Sequence, residues 1–117
     1  MGIYIFKHTV HPYFKVGHYI KSNPYSRVSK RGFRCCLHPA ILDGQLMIDH
    51  LDLIAWYPHL VTVDEKQLHR VFRTNRRDGE WYHLDKLDAI IAYLSTRDKC
   101  DMTSCDKAAA LATRRRL

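Results

Sequence analysis

The 117 residues suffice for one domain with a real core and are too few for two independently stable ones. Hydrophobic residues at 46% and charged ones at 26%, with no polar low-complexity tract, favour a soluble globular fold over disorder. Nineteen Lys and Arg against twelve Asp and Glu leave a net charge of +7, which in a small domain points to a polyanion, nucleic acid first, with a merely basic soluble protein as the plainer alternative.

In chain order, Gly2 to Phe6 (GIYIF) and Tyr13 to Gly17 (YFKVG) are rich in Ile, Tyr, Phe and Val and read as two strands of a hairpin, broken at Pro12. In SNPYSRVSKRGF, Asn23 is placed to cap, Pro24 suits a first helical position and Gly32 a terminus, so a short helix carries Arg27. The stretch HPAILDGQLMIDHL stays open between a small hairpin and a helical turn. LDLIAWYP, apolar and ended by Pro58, reads as a third strand, expected at the centre of the sheet.

TVDEKQLHRVF opens with Thr62 three residues before Glu65, the capping-box spacing, and Leu68 and Phe72 supply the apolar face of a second helix. The box alone would account for Glu65. Against that, Glu65 shares the face of Leu68, His69 and Phe72, where an unpaired carboxylate is expensive and a metal would offset the cost. After a turn signal at Asp78-Gly79, Asp85 is placed to cap a third helix striped by Leu87, Ile90, Ile91 and Leu94. The division expected is a domain over 1–98 and a basic tail over 99–117, ending in Arg114, Arg115 and Arg116.

No leader-like or membrane-spanning run is read, and no long basic amphipathic helix suited to a membrane surface, so an intracellular protein without a membrane partner is expected. Cys35, Cys36, Cys100 and Cys105 are then expected as thiols. With His38 they form only a weak zinc pattern, because neither pair has the Cys-x-x-Cys spacing. Nothing in the pattern sets an oligomeric state; a homo-oligomer is compatible with it.

Gly2-Ile3-Tyr4 on a first strand, Lys15-Val16-Gly17 on a second, Arg27 on the next helix and Glu65 opening a later one resemble, in that order, the GIY-YIG nuclease superfamily. The phrases FKVG, EKQLHRVF and GEWY are most similar to its small stand-alone branch of phages, bacteria and large DNA viruses. The resemblance spans Gly2 to Tyr82. It implies an α/β (α+β) domain with a small mixed, largely antiparallel three-stranded sheet flanked by helices. It also implies an endonuclease that hydrolyses phosphodiester bonds with one Mg2+ or Mn2+, DNA being the favoured substrate.

By that resemblance Tyr4 helps activate water, Arg27 contacts the phosphate and Glu65 binds the metal. An unperturbed phenol titrates near about 10, so Tyr4 would need cations close by; its plain alternative is a strand aromatic with a surface hydroxyl. Lys15 stands where the superfamily has a second tyrosine and adds a flexible cation. Gly17 permits close approach, and His18 beside it is a secondary candidate for proton transfer. Lys30, Arg31 and Arg34 near Arg27 suit a surface that tracks a nucleic-acid backbone. His69, one turn after Glu65, is a candidate partner behind the metal ligand. Glu80 matches an acidic position, Trp81 and Tyr82 read as packing, and the superfamily's late asparagine has no counterpart. Two other readings follow from these departures: a catalytically weak nucleic-acid-binding module of the same fold, or a zinc-stapled interaction domain.

Overall fold

The computed structural model describes residues 1–29, 50–73, 76–78 and 81–115. Alternating β-formers build β1 (Gly2–His8) and β2 (Tyr13–Tyr19), antiparallel with Tyr4 opposite Gly17 and Phe6 opposite Lys15. Helix α1 (Tyr25–Ser29) follows, then β3 (Leu51–Tyr57), α2 (Thr62–Val71), β4 (Arg76–Asp78) and β5 (Trp81–His83). A 3-10 turn (Leu84–Lys86) leads into α3 (Leu87–Ser95), and α4 (Lys107–Arg115) comes last. The protein is a small α+β fold.

Two expectations about the sheet are corrected. Among the described residues it has five strands in the order β3-β1-β2-β5-β4, and every pairing is antiparallel, so it is neither three-stranded nor mixed. And among these strands β3 lies at an edge rather than at the centre. It is apolar all the same because its outer edge is covered: the Asp101 amide donates to the Trp56 carbonyl at 2.9 Å, and the Leu53 amide to Tyr25 Oη at 3.4 Å.

A bulge in the β1–β3 ladder places Ile5 opposite Ala55 but Phe6 opposite Leu53, skipping Ile54. The extra residue reverses the side-chain alternation along β3. Leu51, Leu53 and Trp56 therefore share one core with Tyr4, Phe6, Tyr19, Val28, Trp81 and Ala110, while Ala55 and Tyr57 face a second with Ile3, Ile5, Phe14, Val16, Leu68, Tyr82, Ile90 and Leu94. One face of the sheet thus carries α1 and α4, the other α2 and α3.

Helix ends depart from the expected caps in two places. The Val61 amide donates to Asp64 Oδ2 at 2.9 Å, so Asp64, not Glu65, reaches back over the start of α2. The turn before α3 is capped by His83, whose Nδ1 accepts from the Asp85 amide at 3.3 Å, rather than by Asp85. At α1 the Asn23 cap is found: Oδ1 accepts from the Tyr25 amide at 3.2 Å. The same oxygen accepts from the Asp106 amide, and Asn23 Nδ2 donates to the Asp106 carbonyl at 2.7 Å. With Ser104 Oγ donating to the Ser22 carbonyl and Ala110 buried against the α1 core, the segment set apart as a tail folds back through α4 onto the domain.

At the end of β1, His8 is 2% exposed and its Nδ1 accepts from the Val10 and His11 amides at 3.1 and 3.0 Å. Burial, and then the neighbouring His11 and His50, lower its pKa below 6.5. The unfolded chain binds this proton more readily than the folded one, so stability is full above the unfolded value and is lost as pH falls through it. We expect the melting temperature to drop as pH is lowered below 6.5, and the drop to be shallower in His8→Asn, as read from melts across pH 8 to about 5. Equal slopes in the two proteins would assign the acid sensitivity to other groups.

Candidate functional site

The residues of the two sequence triplets meet across one ladder. Tyr4 sits opposite Gly17, and a Cβ on Gly17 would overlap Oη and Cζ of Tyr4, so the phenol lies across β2 on a residue that has no side chain. Tyr4 is 2% exposed and packs at 5.2 Å from the Phe6 ring, which rules out the strand aromatic with a surface hydroxyl. Gly17→Ala should therefore destabilise the fold by about 1–3 kcal/mol, the usual range for overpacking. Denaturant midpoints would show the penalty shrinking in a Tyr4→Leu background, where the colliding ring is gone.

Lys15, diagonal to Tyr4 on the same face, is 8% exposed, with its ammonium 5.9 Å from the ring centre of Trp81, its partner on β5. Arg27 is half-buried on α1, next to Val28, which packs into the core that holds Tyr4, Phe6 and Trp81. Tyr4, Lys15, Gly17 and the helix of Arg27 thus share one face of the sheet.

Glu65, His18 and His69 belong to the other face. Leu68 anchors α2 in the second core, His18 Nδ1 lies 3.4 Å from Thr62 Oγ1, and His69 Nδ1 lies 2.6 Å from Tyr82 Oη with the two rings stacked. Thr62, Glu65 and His69 follow one flank of the helix, so half-buried Glu65 falls between a contact to β2 and a contact to β5. Burial, and secondarily the Met1 ammonium, lower the pKa of His18 and favour a neutral imidazole. Among the described residues β2 pairs with β5 only over Tyr13 to Lys15.

In the sequence Trp81 and Tyr82 suggest only packing. They form β5, with Trp81 on the Tyr4 face and Tyr82 bonded to His69 on the other. The signal was the Asp78-Gly79 turn dipeptide ahead of two aromatics, which marks a hairpin as well as a loop before a helix.

Lys30, Arg31, Arg34, Cys35, Cys36, His38, Glu80 and Arg116 lie outside the described residues, as does the open stretch over 38–49. Among the described residues no three His, Cys, Asp or Glu side chains converge as a metal-binding group, and Cys100 and Cys105 are free thiols. Burial pushes the Cys105 thiol up to about 11, away from the reactive thiolate. No helix of the described residues is long and apolar enough to cross a membrane. Set against family models, curated proteins and solved structures, the chain matches none of them.

Proposed function

We propose that the chain is a metal-dependent endonuclease acting on DNA through the GIY-YIG-like constellation of Tyr4, Lys15, Arg27 and Glu65. The observation that carries this reading is the phenol of Tyr4 laid across Gly17, with Lys15 diagonal to it and Arg27 on the helix packed over the same face. Phosphodiester hydrolysis needs a group to handle the water's proton and positive charge on the nonbridging oxygens. Tyr4 supplies a hydroxyl held by its packing, Lys15 a flexible ammonium, and Arg27 a planar fork matched to two phosphate oxygens.

Glu65 is the residue that would hold Mg2+ or Mn2+. Its carboxylate is a hard oxygen donor, and the helix start does not need it because Asp64 serves there. Such ions keep several waters and take one or two carboxylates from the protein, so one glutamate is compatible with the described side chains. A bound divalent ion supplies Lewis acidity and a more acidic water. His18, whose pKa burial lowers, would pass a proton, and His69, bonded to Tyr82, would orient the helix flank.

Conversion of supercoiled plasmid to nicked or linear forms with Mg2+ or Mn2+, and none with chelator, tests the reading. A second reading, a nucleic-acid-binding module with little turnover, is favoured by the sheet that stands between Tyr4 and Glu65. Binding without nicking would select it.

Either reading spends part of the +7 charge on phosphates, through Arg27, Lys30, Arg31 and the arginines at the end of the chain. We therefore expect duplex affinity to fall steeply and linearly with the logarithm of salt concentration, as measured by fluorescence anisotropy. A flat dependence would point to a protein or small-molecule partner.

A further inference from the structure

We propose that Lys66, Arg70 and Arg73 along the outer face of α2, with Arg97 past the end of α3, form a docking surface for the phosphate backbone of duplex DNA. The proposal rests on the nucleic-acid reading for the class of partner, and it adds a surface on the side of the sheet that carries Glu65. Lys66 and Arg70 stand one turn apart on α2, each two residues from buried Leu68 and therefore on the side of the helix turned away from the core. Arg73 follows the C-cap Phe72. All three are exposed, and among the described residues their side chains form no ion pair or hydrogen bond.

Phe72 packs edge-on against Tyr93 of α3 with ring centres 5.7 Å apart, and the Arg97 guanidinium lies 4.6 Å from the centre of the Tyr93 ring. Two packed rings thus join the end of α2 to exposed Arg97, which keeps its charge and its planar fork while stacked. Two acids close to this surface in the chain are engaged elsewhere: Asp64 accepts from the Val61 amide, and Asp98 holds the His59 amide and imidazole. Like charges one turn apart repel. The helix dipole offsets this for Arg70 in the last turn but not for Lys66, a turn earlier. A row of phosphates relieves the repulsion at every position, and the counterions it sheds supply the affinity. Lys66 follows Glu65 in the chain, so a strand held there passes beside the residue proposed to carry the ion.

The test is fluorescence anisotropy with a short labelled DNA duplex in chelator, where cleavage does not interfere. The unaltered protein is compared with a stripe variant, Lys66→Gln, Arg70→Gln, Arg73→Gln and Arg97→Gln. A control loses the same charge elsewhere, through Lys7→Gln, Lys21→Gln, Lys86→Gln and Lys107→Gln. Gln keeps a good helix propensity, so the melting temperatures should stay together. At about 0.1 M salt the stripe variant should bind about a hundredfold more weakly or worse, and its slope of log affinity against log salt should be shallower by about 3–4, since each phosphate contact contributes about 0.9. The control should stay within about tenfold, with a slope change of about 1 or less. Equal weakening of the two variants would assign binding to bulk charge and overturn the proposal. A stripe variant that binds duplex and nicks plasmid like the unaltered protein would sink this surface alone and leave the nuclease reading standing. Absence of duplex binding by the unaltered protein would remove the nucleic-acid reading and this surface with it. Binding to phosphatidylserine vesicles in place of duplex, lost in the stripe variant, would replace DNA by a membrane surface and equally overturn it.

Discussion

Glu65→Gln should lower DNA cleavage by about a hundredfold or more while duplex binding stays within a few-fold, because the carboxylate is the hard oxygen donor that the proposed ion requires. The amide matches the acid in shape and lacks its charge. Melting temperature should barely move, since the start of α2 is held by Asp64 accepting from the Val61 amide. Asp64→Ala supplies the contrast: it should cost about 0.5–1 kcal/mol of stability and leave the rate per folded molecule unchanged. Nicking assays, anisotropy and thermal melts on the two variants separate the roles. Full cleavage by Glu65→Gln would remove Glu65 from catalysis and leave the binding module as the better account.

The second large effect is expected at Tyr4. Tyr4→Phe removes one hydroxyl and keeps the ring that lies across Gly17 and against Phe6, so fold and affinity should be nearly unchanged. Positioned proton transfer contributes about a hundred- to ten-thousand-fold, and turnover should fall within that range. Single-turnover rates at saturating enzyme would read the chemical step apart from binding. If the rate survives within a few-fold, the phenol only packs, and His18, on the neighbouring strand β2 with its pKa lowered by burial, becomes the residue to test.

The sequence by itself determined the elements whose signals are local. Ile, Tyr, Phe and Val at the N-terminus specified β1 and β2, the Asn23-Pro24 pair specified the start of α1, and the stripes of Leu68 with Phe72 and of Leu87, Ile90, Ile91 and Leu94 specified α2 and α3. The ladder partner of Gly17 was not legible, but its lack of a side chain was, and close approach follows from that alone.

Tertiary structure decided whatever depends on contacts between distant residues. The run Leu51–Tyr57 looks central because it is apolar, yet β1 holds the inner place and Asp101, far along the chain, covers the outer edge. The bulge at Ile54 reverses the faces of β3, and period-two reading cannot see one extra residue in a continuous apolar run. Thr62 and Glu65 have capping-box spacing, but the helix starts one residue earlier in register, so Asp64 rather than Glu65 takes the amide. Which side of the sheet each helix covers is set by core packing rather than by any helix's own pattern. That packing joins Tyr4, Lys15, Trp81 and the helix of Arg27 on one face and gives Glu65, His18 and His69 to the other.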